Sequence, residues 1–163
     1  MNVRARALAR PRMVPLDPEL VDGIAEAIRR DPEGLRALAG SMIPDAGTIA
    51  RGIRASLRNG ALLWRVEVDG DPRAGLAGEG PFEPRGDRHL MVWLDPRHRG
   101  RDLGVGLAGE ALRRLVSRGR TRVQAGAPTG SYPALRILNL LEFTYLGSSR
   151  TVPGRASYEH RVA

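Results

Sequence analysis

The chain contains no cysteine and no lysine, and only 4% of its 163 residues are aromatic. Without cysteine there are no disulfides, no thiolate metal ligands and no cysteine nucleophile. Without lysine the phosphate loop G-x-x-x-x-G-K-[ST] cannot be present. Two tryptophans, three tyrosines and two phenylalanines are too few for a platform that stacks single-stranded nucleic acid. The three histidines, His89, His98 and His160, are dispersed and offer no metal-ligand spacing. No apolar run approaches transmembrane length, and none follows the early arginines at positions 4, 6, 10 and 12 as a secretory signal requires. The expectation is a cytoplasmic protein with no membrane partner.

What remains is rich in arginine and glycine. All 26 basic residues are arginine, against 18 acidic ones, for a net charge of +8, and there are 20 glycines. Arginine suits bidentate contact with phosphate. The arginines are scattered, however, and GC-rich coding accounts for them equally well, so nucleic acid is a possible partner but not a favoured one. The length suits one domain over residues 1–163.

Asp17-Pro18 and Asp31-Pro32 both read as helix starts, N-cap then first helical residue. Leu20, Val21, Ile24 and Ile28 follow the first at helical spacing. Leu35, Leu38 and Ala39 follow the second, with Gly40 as its stop. Ile49, Ile53 and Leu57 mark a third helix ending at Asn59-Gly60. The alternation through Leu62, Trp64, Val66 and Val68 predicts a half-buried strand, and Asp69-Gly70 a hairpin turn into a strand near 74–78. Residues 80–87 read as a loop. A strand at 89–94, a helix bearing Leu107, Ala111, Leu112, Leu115 and Val116, a strand at 121–125, a helix at 133–141 and a hairpin from 143–148 and 156–162 complete the order. Helices, an antiparallel start and a βαβ-like centre predict a mixed α/β sheet.

The most informative segment is the loop after Leu90-Met91-Val92-Trp93-Leu94. It runs Asp95-Pro96-Arg97-His98-Arg99-Gly100-Arg101-Asp102-Leu103-Gly104-Val105-Gly106 and leads from a strand into a helix. Glycines let successive N–H groups converge, and a helix start adds partial positive charge, which is how backbone cradles phosphate. Gly104-Val105-Gly106-Leu107-Ala108-Gly109 has the dinucleotide spacing G-x-G-x-x-G, but nine residues separate Leu94 from Gly104. The next strand also ends in Gln124-Ala125-Gly126, without the acid that would hold a ribose.

The run from Val92 to Gly104 resembles instead the acetyl-coenzyme A loop of the GNAT superfamily of N-acetyltransferases, R/Q-x-x-G-x-G/A after a strand that ends in proline. Arg99-Gly100-Arg101-Asp102-Leu103-Gly104 keeps the spacing from Pro96 but puts Asp102 where glycine is usual. Arg101-Asp102-Leu103-Gly104-Val105-Gly106 restores both glycines with a loop two residues longer. The stretch Ser131-Tyr132-Pro133-Ala134-Leu135-Arg136-Ile137-Leu138-Asn139-Leu140-Leu141-Glu142-Phe143 resembles the family's N-x-x-A-x-x-x-Y-x-x-x-G-F segment. Leu146 to Arg150 with Tyr158-Glu159-His160 resembles its closing hairpin. The likeness covers residues 89–163 and is nearest the branch that acetylates ribosomal-protein N-termini.

The resemblance implies a mainly antiparallel sheet flanked by helices, with a central βαβ site. It implies acetyl-coenzyme A as co-substrate, held by Val92, Trp93, Leu94, Arg99, Gly100, Arg101, Asp102, Leu103, Gly104 and Val105. The acceptor would be a primary amine: a protein N-terminus, an antibiotic or another small amine. Three departures bear on catalysis: Ser131 replaces the usual asparagine, Leu138 the tyrosine acid and Glu142 the glycine. Transfer needs a base for the amine and an acid for the thiolate. Tyr132 or Ser131 would substitute for the missing acid, and Glu79, Glu67, His89 and Asp95 are the candidates for base. A GNAT fold that binds acyl-coenzyme A without transfer, and a protein directed to RNA or aminoacyl-tRNA, stand as alternatives. A homodimer is compatible with either.

Overall fold

The computed structural model describes residues 10–39, 44–80, 88–150 and 152–163. Gly40, the arginines at positions 4 and 6, and the loop of residues 81–87 lie outside them. Asp17 accepts a hydrogen bond from the Glu19 N–H at 3.0 Å and opens a short 3-10 turn at Pro18–Leu20, which runs on into α1, Val21–Arg29. The spacing of Val21, Ile24, Ala25 and Ile28 places all four on one buried stripe. Helix α2 spans Pro32–Ala39. Helix α3, Ala46–Arg58, is capped by Asp45 through the Thr48 N–H at 2.7 Å. Asp69 and Gly70 both have positive φ and close the tight turn between β2, Leu63–Val68, and β3, Asp71–Gly80.

The remaining elements are β4, His89–Leu94; α4, Leu103–Ser117; β5, Arg122–Pro128; α5, Tyr132–Leu140; β6, Thr144–Ser148; and β7, Arg155–Arg161. A strand β1, Arg12–Pro15, pairs with β2 and was not expected. It is four residues long with one buried side chain, Met13. Its proline is tolerated at a sheet edge, so neither pattern nor composition marked it.

The sheet has seven strands in the order β1-β2-β3-β4-β5-β7-β6, antiparallel throughout except between β4 and β5. This is the mixed, mainly antiparallel sheet that the C-terminal resemblance implied. Helices α1, α2 and α3 pack on one face against Leu63, Leu76, Met91 and Trp93. Helices α4 and α5 pack on the other against Trp64, Val66, Ala77 and Leu94. With both faces covered, Leu63 and Trp64 are adjacent and both buried. The expectation of a half-buried β2 is corrected on that point, because alternation cannot reveal a second layer of helices. No helix among the described residues is long and apolar enough to cross a membrane.

Candidate active site

Strands β4 and β5 are paired at one position only, His89 opposite Gln124. Beyond it they part, and a cleft of about 770 Å³ opens between the end of β4, the loop after it, α2 and α5. All ten residues expected to hold the coenzyme line this cleft: Val92, Trp93, Leu94, Arg99, Gly100, Arg101, Asp102, Leu103, Gly104 and Val105. Glu33, Leu38, Ser131 and Arg136 complete its walls with their neighbours. A second chamber of about 180 Å³ adjoins it, sharing Ala37, Leu38, Val92, Ser131 and Ala134, and is closed by β5 and β7.

The loop's shape follows from its dihedral angles. Gly100 has φ +77° and Asp102 φ +58°, and α4 begins at the next residue, Leu103. Asp102 therefore occupies a left-handed position, where glycine is the natural residue and aspartate one of the few tolerated substitutes. That conformation is one an aspartate can adopt where the motif has glycine, in the register that begins at Arg99. Glu142, the other residue standing where the motif has glycine, also has positive φ, +59°. At both positions the backbone conformation is that of a glycine although the residue is not. The Asp102 side chain makes no capping bond to α4. The first amides of that helix have no intrahelical partner and no cap from Asp102, and the residues that carry them, Leu103, Gly104 and Val105, line the cleft.

The loop's arginines act as fastenings. Arg97 donates to Asp95 at 3.0 Å and to Asp71 at 3.3 Å, and His98 lies 2.9 Å from the same Asp71. Arg101 donates to Asp69 at 2.7 Å. Arg99 is bonded to Asp31, which is only 4% exposed and also accepts from the Trp93 indole N–H at 2.9 Å. Burial alone would raise the Asp31 carboxyl. Bonds from Arg99, Trp93 and the Gly34 N–H outweigh it and hold the carboxyl below its ordinary value. Gly34 is required here, since a Cβ at that position would fall 2.0 Å from the Asp31 carboxylate. One carboxylate thus ties α2, β4 and the loop together. Asp102 reaches across the mouth of the cleft toward Arg136 of α5, at 3.8 Å, with both side chains largely exposed.

The candidate acid and base residues are not gathered in one place. Ser131 lines both chambers, at the start of α5, and its hydroxyl does not cap that helix. Tyr132 is 83% exposed and lines neither chamber, because the first helical turn directs it to solvent. Glu79 is buried, but away from the cleft. It accepts from Arg120 at 2.6 Å and from the Leu62 N–H at 2.8 Å, stitching β3 to the end of α4. Glu67 is held by Arg65 at 2.5 Å and Asp95 by Arg97. His89 lines the inner chamber. Leu138, where the motif has its tyrosine, is buried in the α4–α5 core. Two site residues went unanticipated, Asp31 and Arg155. Asp31 was read only as a helix cap, and Arg155 comes from the far end of the chain with no motif around it.

No protein-family profile and no curated protein matches the chain. Solved structures do match in shape. An acetyltransferase from Agrobacterium tumefaciens str. C58 superposes with a TM-score of 0.74 at 14% identity, over 99% of both chains. A ribosomal-protein-alanine N-acetyltransferase from Brucella melitensis gives 0.70 at 17% identity, over 94% of this chain and 99% of its own. RimL, a ribosomal α-N-protein acetyltransferase in complex with coenzyme A, gives 0.69 at 13% identity, over 93% and 94%. The chain has the fold these acetyltransferases share, the GNAT fold implied by its C-terminal half.

Proposed function

We propose that this chain is an acetyl-coenzyme A-dependent N-acetyltransferase that acts on a primary amine. The observation that carries the reading is the cleft where β4 and β5 part, floored by the uncapped start of α4. The coenzyme pyrophosphate would lie on the amides from Arg101 to Val105. Its amide arm would run along the β4 edge that β5 leaves open, past Val92, Trp93 and Leu94. The thioester then points toward the inner chamber, the side from which an amine would arrive. That some acetyltransferases of this fold hold coenzyme A supports the same reading.

In the transfer the amine nitrogen attacks the thioester carbonyl carbon, a C–N bond forms, and the C–S bond breaks as the tetrahedral species collapses. One proton must leave the nitrogen and one must reach the departing sulfur. His89, the imidazole lining the inner chamber, takes the first in this proposal, and the Ser131 hydroxyl supplies the second. Tyr132 and Glu79 have no part in it, because neither lines the cleft. A protein that binds the coenzyme without transfer is the second reading, favoured by one observation: Leu138 fills the acid's position with a buried hydrocarbon.

Thiol release from acetyl-coenzyme A over a panel of amines tests the proposal. Turnover that falls at least tenfold in both Ser131→Ala and His89→Ala, with coenzyme affinity retained, is the expected result. Coenzyme binding without turnover on any amine would leave the binding module.

A further inference from the structure

A third depression, of about 200 Å³, lies where β4 and β5 begin, at the end where the two strands are still paired. Arg88, Arg120 and Arg122 line it, with Glu79 and with Leu90 and Val123 from the two strands. Glu79 accepts from Arg120 Nε at 2.6 Å and Nη2 at 3.1 Å, and Arg88 Nη1 stands 3.8 Å from it. The Gly60 carbonyl takes a further bond from each of these arginines, at 3.4 Å from Arg88 and 3.2 Å from Arg120. Arg122 donates Nε at 2.5 Å to Glu159, which Arg161 also shares. Arg122 and Arg161 stand directly opposite each other in the β5–β7 ladder, a placement that like charges disfavour.

The carboxylates lie underneath and the guanidiniums on top. Glu79 and Glu159 are 4% and 3% exposed, whereas the four arginine side chains are 31% to 72% exposed. Three guanidiniums against one carboxylate leave a surplus of two positive charges in the lining. Adding Glu159 and Arg161 leaves the surplus unchanged, and no other carboxylate among the described residues pairs with any of the four. Donors remain as well. Arg120 uses Nε and Nη2, and Arg122 uses Nε, so Nη1 of the first and both terminal nitrogens of the second keep their N–H groups.

We infer that this depression is a second anion site, separate from the cleft, that takes one doubly charged phosphate group, as the free ion or as the end of a small phosphomonoester. Guanidinium donors match phosphate oxygens in pairs, and a dianion answers both surplus charges where chloride answers one. The volume equals about six or seven waters at ~30 Å³ each, room for a phosphate group but not for a base and sugar besides. No aromatic ring is among its lining residues to stack a base. With donors from Arg88 just before β4 and from Arg120 and Arg122 at the start of β5, the bound group would brace the two strands beside their pairing. The site is independent of the transferase reading.

Calorimetric titration of the full chain tests it, with inorganic phosphate, methyl phosphate and a short single-stranded oligonucleotide in a phosphate-free buffer. Saturable binding of both small phosphates at millimolar concentration, at one site that Gly104→Val leaves intact, is the expected result. Arg88→Gln and Arg122→Gln should each weaken it about fivefold or more. Each leaves its carboxylate with one arginine, Glu79 with Arg120 and Glu159 with Arg161, so the fold should survive. Arg113→Gln makes the same change in net charge on α4, where Glu110 keeps Arg114, and should alter affinity less than about twofold. Absence of saturable binding, or equal weakening by Arg113→Gln, would overturn the assignment. Weakening by Gly104→Val as large as that by Arg122→Gln would move the phosphate to the cleft and overturn it too. An oligonucleotide that binds through Arg88 and Arg122 more tightly than methyl phosphate would replace the small-phosphate site with a nucleic-acid surface.

Discussion

The outer and inner ends of the cleft are built by different means. The outer end is a backbone device: a contiguous loop, two left-handed residues and a helix start, with arginine side chains fastening the loop to its surroundings. The inner end is a side-chain device. It is assembled from α2, β4, β5, α5 and β7, whose lining residues run from Ala37 to Arg155. A backbone device tolerates changes of residue as long as the conformation survives, as Asp102 shows. A side-chain device changes its ligand when one residue changes.

The largest expected effect comes from cutting the tie between the two ends. Asp31→Ala leaves Arg99 and the Trp93 N–H without their shared acceptor and removes the start of α2. It should cost about 2–3 kcal/mol of stability and weaken coenzyme binding as well. A loss under about 0.5 kcal/mol in chemical denaturation, a typical value for a surface change, would show that the two ends are not coupled through this carboxylate. The pH dependence has a definite sign. The Asp31 carboxyl is held low in the folded chain. Its contribution is thus fully present above the unfolded value of about 4 and fades as the pH falls through the lowered one. The stability gap between the unaltered chain and Asp31→Asn should close in acid and stay constant above about pH 5.

Next comes the backbone device alone. A Cβ on Gly104 would sit 3.4 Å from the Ile137 side chain, and both residues line the cleft, so a valine there adds its bulk between the loop and α5. Gly104→Val should lower coenzyme affinity at least tenfold, about 1.4 kcal/mol, while the melting temperature moves by no more than about 3 °C, equivalent to about 1 kcal/mol for this length. Unchanged affinity in the folded variant would take Gly104 out of the site.

A smaller effect isolates charge from conformation. Asp102→Asn keeps a residue that tolerates positive φ but removes a negative charge beside the phosphates, and it releases Arg136. Affinity should rise roughly two- to fivefold at low salt and return toward the unaltered value at high salt. A fall in affinity would mean that the carboxylate contributes to binding. The smallest effect is in stability alone. Glu142→Gly relieves about 1–2 kcal/mol of left-handed strain and loses about 0.5–1 kcal/mol to chain entropy. The net gain should raise the melting temperature by about 1–2 °C, with coenzyme binding untouched.

The same contrast explains what could be read in advance. The loop is contiguous, so its glycines, its proline and the following helix marked out ten residues between positions 92 and 105, and all ten line one cleft. The parting of β4 from β5 is a property of the sheet and leaves no mark in either strand. Asp31 carries a strong local meaning as a helix cap, which concealed its bonds to residues more than sixty positions away. Glu79 drew notice as a carboxylate near the central strands, yet pleating placed it on the α4 face with Arg120. Tyr132 sits one residue from Ser131 and points elsewhere, because helical residues next to each other do not share a face. Arg155 stands among scattered arginines, and only the antiparallel pairing of β5 with β7 carries it to the chamber.

The central claim is that the outer cleft holds acetyl-coenzyme A, and calorimetric titration of the full chain with acetyl-coenzyme A tests it most directly. The account predicts saturable binding at one site per chain, weakened by Gly104→Val. Absence of saturable heat at millimolar coenzyme, with no rise in melting temperature, would contradict it.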